Sequence, residues 1–482
     1  MVKYFIFTRF IMSSKKNYVQ GEGWLLKKIA LEEFTEEEFD ILNFYKLDKK
    51  KYPYLLESSA KGNSLARYSI LFYKPNKVLI KKNQIEKINF LENFDAIWKK
   101  NQIKQSKFQD KDHKNFPFLG GWFVYLGYEL VCEIEGKLKI PESPFKFPTA
   151  FASRVNSAII FDRFSNYLFF VSDNSKEDIE NMYEDFRKIL DQDNTTKNNL
   201  MTNRKNSNLL FKGSAQQHKE DVKKCIKHIY DGEIFQANLS RLWEFKIDKN
   251  IDVFDIYRQL RISNPSPFGG LVDLPEGTII SSSPERLIKV HNDSLQTRPI
   301  AGTRPRGFSG LTDIELSKEL ISSKKERAEH LMLVDLERND ISRVCVPGSV
   351  KVDEMMIIES YAHVHHIVSN IKGIVKDEIS PGKVLSAVFP GGTITGCPKV
   401  RCIEILGEIE KIGRGPYTGS FGYVCHSGDL DFNILIRSML KENNKIFLRA
   451  GGGIVADSIP EKETLETEAK ANGMLKALEL LG

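Results

Sequence analysis

The sequence predicts an α+β fold in two lobes, on the basis of three observations. The chain has 482 residues, too many for one small hydrophobic core. A polar stretch lies between Asp191 and Asn208, where six Asn occur and only Leu200 and Met201 are apolar. Strand-like segments are joined by local turns without a regular strand–helix alternation, which favours at least partly antiparallel sheets. We therefore divide the chain into a lobe at 1–190, a connector at 191–213 and a lobe at 214–482.

The first lobe contains both sheet and helix signals. Segments 154–163 and 166–172 are rich in β-branched and aromatic residues and flank the turn-like Phe164 and Ser165, so they are predicted as paired strands. Residues 176–190 show the apolar spacing of an amphipathic helix. This lobe is therefore expected to be α+β.

The second lobe begins with a helix that Ser214 and Gln217 are expected to cap and that Gly232 ends. A turn is expected at Asn264 and Pro265. Strands are predicted at 234–245, 278–282, 287–291 and 433–438, and helices at 253–262, 324–337, 383–389, 398–410 and 460–480.

Composition and charge exclude several classes of protein. Lys and Arg number 70 and Asp and Glu 64, so the net charge of +6 is too dilute to indicate a nucleic-acid partner. No stretch approaches the roughly 18 uninterrupted apolar residues of a membrane helix. The six cysteines form no Cys-x-x-Cys pair, which argues against a disulfide framework or a zinc cluster. We expect a cytoplasmic protein that binds neither nucleic acid nor membrane.

Two acidic pairs are candidate metal ligands. Glu326 with Glu329, and Glu463 with Glu466, have i, i+3 spacing on predicted helices, and Lys470 follows four residues after Glu466. Carboxylates that meet across a cleft supply the hard oxygen ligands that Mg²⁺ prefers. By itself, however, each pair is also typical of a solvated helix face.

Two glycine-rich runs, at 391–396 and 451–453, are candidate anion sites. Glycines let backbone N–H groups approach an anion, and the first run leads into a predicted helix N-terminus. Neither run has the spacing of a phosphate loop or of a dinucleotide fingerprint, which favours carboxylate recognition. A plain turn or tight packing would use the same glycines.

Three other polar residues have two possible roles each. Arg437 ends an apolar segment and either pairs internally or presents a bidentate donor to an anion. Tyr417 either donates a hydrogen bond or closes a loop. In His363-Val-His365-His366 the alternation predicts a strand with His366 on the opposite face, where it is either an acid–base group or a core histidine. No further ligands complete a zinc site.

Several long motifs occur in the order found in one enzyme family. They are Ser-Pro-Glu-Arg at 283–286, Arg-Pro-Ile-Ala-Gly-Thr-Arg-Pro-Arg at 298–306, Glu-Arg-Ala-Glu-His at 326–330, Val-Asp-Leu-Glu-Arg-Asn-Asp at 334–340, Phe-Pro-Gly-Gly-Thr-Ile-Thr-Gly-Cys-Pro-Lys-Val-Arg at 389–401 and Gly-Gly-Ile-Val-Ala-Asp-Ser at 452–458. The chain resembles the chorismate-utilising enzymes from about Ser214 to its end. Weaker similarity occurs at 54–58 and 120–128.

The resemblance implies a two-lobed α+β fold with large, mainly antiparallel sheets packed together and flanked by helices, with chorismate and Mg²⁺ bound in a cleft. It also implies a role for each matching residue. The catalytic residues would be Glu285, which protonates the departing C4 hydroxyl, with His366 and Thr303; the substrate-binding residues would be Tyr417, Arg437, Gly452, Gly453 and Lys470; the metal ligands would be Glu326, Glu329, Glu463 and Glu466.

The resemblance also bears on the nucleophile. Water-adding members of the family resemble one another in a lysine where this chain has Gln236. Without a lysine base to deprotonate water, ammonia is the expected nucleophile. Motifs at 235–240, 281–285, 389–396 and 428–433 are most similar to the aminodeoxychorismate synthase component I branch, which serves 4-aminobenzoate and folate synthesis. Some members of that branch carry a nucleophilic lysine where this chain has Ala301, so a covalent lysine adduct is impossible here.

Two alternatives remain. Anthranilate synthase component I would place nitrogen at C2 and eliminate pyruvate, and a non-catalytic subunit would only bind chorismate or tryptophan. No Gly-x-Cys-x-Gly elbow surrounds any cysteine, so the chain is not expected to hydrolyse glutamine. Ammonia would come from a separate glutamine amidotransferase subunit or from solution.

Overall fold

The computed structural model describes residues 18–21, 24–31, 39–60, 66–102, 116–173, 175–193, 208–307, 309–360 and 364–479. The helices longer than one turn in these residues are α1 (Leu42–Leu47), α2 (Phe90–Lys100), α3 (Val131–Ile134), α4 (Lys176–Asp193), α5 (Ala215–Tyr230), α6 (Val253–Ser263), α7 (Gly310–Ser322), α8 (Lys324–Ser342), α9 (Pro381–Val388), α10 (Lys399–Glu410) and α11 (Pro460–Glu479).

The described strands form two large sheets in which the paired strands are antiparallel. The larger sheet consists of β1 (Tyr18–Gly21), β2 (Trp24–Ala30), β3 (Tyr54–Glu57), β4 (Tyr68–Tyr73), β8 (Ser157–Asp162), β9 (Tyr167–Ser172), β10 (Asn208–Lys212), β11 (Gln236–Lys246), β12 (Gly269–Leu274), β13 (Gly277–Ser281), β19 (Gly396–Cys397), β22 (Ser438–Glu442) and β23 (Lys445–Ile454). Its order is β1-β2-β9-β8-β4-β3-β12-β13-β22-β23-β11-β10, and β19 pairs with β11.

The smaller sheet consists of β5 (Asn76–Lys81), β6 (Gly121–Leu126), β7 (Ala150–Val155), β14 (Arg286–His291), β15 (Ser294–Thr297), β16 (Ile300–Pro305), β17 (Lys351–Ser360), β18 (Val364–Ile374), β20 (Ser420–Cys425) and β21 (Leu430–Asn433). Its order is β16-β18-β15-β14-β21-β20-β6-β7-β5, and β17 pairs with β18. Each sheet thus contains strands from before and after the predicted connector, most of which lies outside the described residues. The division at 191–213 stays a prediction.

Aromatic side chains fill the space between the two sheets. Tyr54 of the larger sheet stacks on Phe123 of the smaller one with ring centroids 4.5 Å apart. Phe72 also packs edge-on against Phe123, and all three belong to one buried cluster. The outer faces are covered by helices: α1, α4, α6 and α11 on the larger sheet, and α2, α8 and α9 on the smaller. Burial of both faces of each sheet accounts for the largely apolar strands.

The structure confirms the α+β fold with large antiparallel sheets flanked by helices. It also confirms the predicted helices within a few residues at their ends, and Ser214 caps α5 by accepting a hydrogen bond from Gln217 N at 3.2 Å. The strand containing His365 and His366 is confirmed, whereas His363 lies outside the described residues. No helix in the described ranges is both long and apolar enough to cross a membrane, and all six cysteines are free.

One strand prediction is correct in its pairing but not in its bounds, and a second is wrong. Segment 154–163 is divided at Asn156: β7 ends in the smaller sheet and β8 begins in the larger one, where it pairs with β9 as expected. Segment 433–438 is likewise a crossing between sheets, with β21 before it and β22 after it. Arg437 has a left-handed φ of +52° there, so this apolar segment turns instead of extending.

Candidate active site

The end of β23 forms the floor of a cleft between α8 and α11. A Cβ atom built at Gly452 would lie 3.5 Å from Glu463 Oε2 and 3.6 Å from Glu466 Oε1, both on α11. A Cβ atom built at Gly453 would lie 3.4 Å from Glu329 Oε1 on α8. Glu463 and Glu466 on α11 therefore lie beside Gly452, and Glu329 on α8 lies beside the adjacent Gly453.

Glu326 lies one turn before Glu329 at the beginning of α8. Its Oε1 accepts a hydrogen bond from Arg304 Nη1 at 3.3 Å. Its Oε2 would be 2.9 Å from a Cβ atom at Gly302, which has a left-handed φ of +66°, so the close approach of strand β16 requires glycine there. The Arg304 hydrogen bond thus links Glu326 to β16, the strand that also contains Thr303.

Negative charge accumulates in this cleft. Burial, together with the neighbouring Glu326 carboxylate, raises the pKa of Glu329 to about 7. Burial also raises the pKa of Glu463, whereas a hydrogen bond from Ser458 opposes that shift. Within the described residues Glu326 pairs with Arg304 and Glu466 with Lys470, whereas Glu329 and Glu463 have no ion-pair partner. A carboxylate without a matching cation holds its proton more tightly, and such a set is typical of a cation site.

The donor chemistry of the four glutamates fits Mg²⁺, a hard cation that prefers oxygen. In the described part of the chain, no three His, Cys, Asp or Glu side chains are close enough together to hold a metal ion. Mg²⁺ commonly takes only one or two carboxylates and completes its shell with water and substrate oxygen. The carboxylates are therefore suited to a metal shared with a ligand.

Lys470 connects the acidic cleft to the backbone. Its Nζ lies 2.7 Å from Glu466 Oε1, one turn earlier on α11, and donates to the Gly451 carbonyl at 3.0 Å. The ammonium group thus lies at the edge of the cleft floor, where it can also meet an anion.

Glu285 lies just before β14 and is 5% exposed. Its Oε1 accepts a hydrogen bond from Thr393 Oγ1 at 2.8 Å. Burial raises the pKa of Glu285 to about 7, although the Thr393 hydrogen bond and the Lys470 charge favour ionisation. A buried carboxyl that keeps its proton near neutral pH is suited to donate it.

Arg437 and Tyr417 are the predicted anion-binding side chains. Burial lowers the pKa of the Arg437 guanidinium, and within the described residues this group has no hydrogen-bond or ion-pair partner. The Tyr417 hydroxyl would lie 2.7 Å from a Cβ atom at Gly451, and burial raises its pKa to about 12, so it remains a donor. A mostly buried, unpaired guanidinium is a strong indication of an anionic ligand.

His366 and Thr303 face each other across the β16–β18 pair. The register places Thr303 opposite His366, and Thr303 Oγ1 is 2.9 Å from His366 Nδ1. Burial lowers the pKa of His366 to about 4, so the imidazole is neutral at physiological pH. His366 also contacts the Gly302 carbonyl, adjacent to Glu326.

Sequence reasoning overlooked two polar neighbours of these residues. Thr393 lies in a run that was examined only for its glycines, although its hydroxyl is the hydrogen-bond donor to Glu285. Gln236 was considered only as a substitute for lysine, whereas its Nε2 donates to Glu329 Oε1 at 3.2 Å. A polar residue inside a glycine-rich motif was the available signal for Thr393; no local pattern indicated the Gln236 contact.

Comparison with known proteins decides the family. The family model described as chorismate binding enzyme matches residues 51–476. This chain belongs to the chorismate-binding enzymes. It is 41% identical over 369 residues to the anthranilate synthase component I-like protein of Synechocystis sp., covering 76% of this chain and 74% of that protein.

Two further relatives show the two aminating branches and the fold. The chain is 36% identical to aminodeoxychorismate synthase component 1 of Bacillus subtilis, over 93% of this chain and 96% of that one. The crystal structure of anthranilate synthase component I from Streptococcus pneumoniae superposes with a TM-score of 0.72 at 30% identity, covering 85% and 92% of the two chains. This chorismate-binding enzyme therefore has the anthranilate synthase component I fold.

Proposed function

We propose that the chain is aminodeoxychorismate synthase component I, which converts chorismate and ammonia to 4-amino-4-deoxychorismate for 4-aminobenzoate and folate synthesis. The observation that carries amination is Gln236, whose amide donates to Glu329 where the water-adding branches resemble one another in a lysine. An amide cannot accept a proton from water as an amine can. A nucleophile that needs no base, ammonia, fits this site better than water.

Substrate carboxylates would bind at the cleft floor. Arg437 offers a bidentate donor that no residue in the described ranges occupies, and Tyr417 offers a hydroxyl beside Gly451. Lys470 and the backbone at Gly452 and Gly453 would complete the anion site. These groups hold chorismate so that its ring faces Glu285.

Glu285 would act as the general acid. It transfers its proton to the C4 hydroxyl, which leaves as water, and the lone pair of ammonia forms the new C4–N bond. The resulting ammonium then returns one proton to the Glu285 carboxylate, so each turnover consumes ammonia and releases water. The Thr393 hydrogen bond orients the carboxyl for both transfers.

Mg²⁺ would take one or two carboxylates from the set Glu326, Glu329, Glu463 and Glu466, and water and substrate oxygen would complete its shell. When bound, such an ion would supply positive charge that offsets these carboxylates and favours the binding of a substrate carboxylate beside them. The neutral His366, paired with Thr303, would orient the β16 edge beside Glu326.

Nitrogen delivery would depend on a partner. Ala301 has a methyl side chain, so no enzyme–substrate adduct can form at this position and ammonia attacks directly. A separate glutamine amidotransferase would release ammonia inside a complex at high effective concentration. Glutamine alone should then give no product with the isolated chain.

Anthranilate synthase component I is the second candidate, favoured by the name of the Synechocystis relative. Mass spectrometry of products from chorismate, Mg²⁺ and ammonium distinguishes the two reactions. Aminodeoxychorismate is expected; anthranilate with pyruvate would select the second candidate. Absence of turnover, with chorismate binding retained, would favour a non-catalytic subunit.

A further inference from the structure

Glu337 is a buried carboxyl that the proposed reaction does not use. It lies on α8, two turns beyond Glu329, and is 8% exposed. Its Oε2 makes a short hydrogen bond with the hydroxyl of Thr297 at the end of β15. A buried carboxyl is either ionised or protonated, and its hydrogen-bond partners indicate which of the two states the site stabilises.

The hydrogen bonds around Glu337 indicate that its carboxyl group is protonated. Thr297 Oγ1 is also 3.1 Å from the backbone oxygen of Leu287, which can only accept. Leu287 lies where the β14–β21 register shifts, so it has no partner in that register, and a buried carbonyl at a bulge needs a donor. Thr297 thus has one hydroxyl proton for two buried acceptors, the Leu287 carbonyl and Glu337 Oε2. A proton on Glu337 lets both contacts form at once, because Glu337 then donates to Thr297 and Thr297 donates to Leu287.

The surrounding charges favour the same protonation state. The charged groups that face Glu337 are Glu285, Asp340 and Lys399. Lys399 is already paired with Asp340 at 2.5 Å. Burial raises the pKa of Glu337 to about 8; the negative charge of Glu285 acts in the same direction, and a hydrogen bond from Thr297 opposes it.

We propose that Glu337 is a positioning residue that acts in its protonated form. Its proton completes a chain of hydrogen bonds from Glu337 through the Thr297 hydroxyl to the Leu287 carbonyl. These bonds hold the β-bulge at Leu287 in place, two residues from Glu285. It also keeps a second negative charge away from the general acid. The proposal rests on the proposed role of Glu285 as an acid, and it implies that turnover requires both carboxyls to be protonated.

The test is the fall of kcat/KM for chorismate as the pH rises above neutral. Ammonium supplies the nitrogen, and the concentration of free ammonia is held constant at every pH. If both protons are required, a plot of log(kcat/KM) against pH for wild type should fall with a limiting slope of about two. Glu337→Gln replaces the acid with an amide that still donates to Thr297. It should lose less than about tenfold at pH 7 and should follow a slope of about one.

Asp95→Asn is the matched control. Asp95 is another buried carboxyl whose pKa burial raises, but it accepts from Ser380 and Gly382 at the N-terminus of α9. This variant should be less stable and keep the slope of two. A slope of one in wild type, or a slope of two in Glu337→Gln, would overturn the proposal; the first outcome decides even if the variant does not fold.

A second readout is independent of catalysis. Infrared difference spectra of wild type minus Glu337→Gln at pH 7 should contain the C=O band of a protonated carboxylic acid. A carboxylate signal instead would refute the assignment. If wild type shows no turnover but does show the acid band, the proposed function fails while the protonation of Glu337 stands.

Discussion

Two groups of charged side chains lie around strand β23, one at Arg449 and one near Gly452, and they differ in how their charges are balanced. At Arg449, the Glu410 carboxylate accepts from Arg449 at 2.9 Å and from Arg414 at 2.8 Å, and Ser240 donates to it as well. At Gly452, by contrast, Glu285 lacks a paired cation in the described structure and the Arg437 guanidinium lacks a paired anion.

The pKa shifts follow this difference. Burial alone would raise the pKa of Glu410, but Arg414 and Arg449 outweigh it and hold the pKa below its usual range. Burial raises the pKa of Glu285 to about 7 because no comparable pairing opposes it. Balanced charge is typical of a structural network, and unbalanced charge of a site that a ligand completes.

The largest expected effect is on catalysis at Glu285. Glu285→Gln keeps the shape but removes the transferable proton, so kcat should fall about 10²–10⁴-fold. Isothermal titration should show chorismate binding largely retained, and the thermal midpoint should stay near that of wild type. A change confined to KM would mean that Glu285 only positions substrate.

Glu410→Gln tests the balanced group. It leaves Arg414 and Arg449 buried without their anion and should lower the free energy of unfolding by about 3–5 kcal/mol, measured by denaturant titration. The control Glu404→Gln breaks the exposed pair with Arg401 and should cost less than about 1 kcal/mol. Equal losses in both variants would contradict the contrast between the groups.

Arg437→Met tests the unbalanced cation. Loss of charge-assisted hydrogen bonds worth about 1.5–3 kcal/mol should raise KM for chorismate by roughly one to two orders of magnitude. The thermal midpoint should stay constant or rise, because an unpaired buried charge is removed. A lower midpoint, like that expected when Arg449 is replaced by methionine, would indicate a structural role.

The smallest expected effect is the pH dependence of stability. Glu285 and Glu329 keep their protons up to about pH 7 in the folded chain, whereas an unfolded glutamate loses its proton near pH 4.3. Between these values the native state binds more protons, so stability should fall as pH rises, by about 1–2 kcal/mol after solvent screening. Glu410 has the opposite sign: its contribution is lost in acid.

Unfolding of wild type at pH 5 and pH 8 measures this dependence. In the Glu285→Gln/Glu329→Gln double variant most of the decrease should disappear. A decrease of unchanged size would assign the effect to other groups.

Local signals predicted the helices because their determinants are close in sequence. Ser214 caps α5 through Gln217, three residues away, and Pro460 begins α11 as expected. Spacing also placed Glu463 and Glu466 on one helical face. The two sheet crossings escaped prediction because Asn156 and Arg437 interrupt apolar segments that continue on both sides.

The sequence by itself determined the α+β class, the helix ends and the motifs of a chorismate-binding enzyme, since all of these are written in neighbouring residues. Only the tertiary structure decided that Arg437 has no ion-pair partner among the described residues, that Gln236 contacts Glu329 and that Glu337 lies near Glu285. The members of the last two pairs are tens of residues apart along the chain. Their meeting depends on sheet pairing and helix packing, which local spacing does not encode.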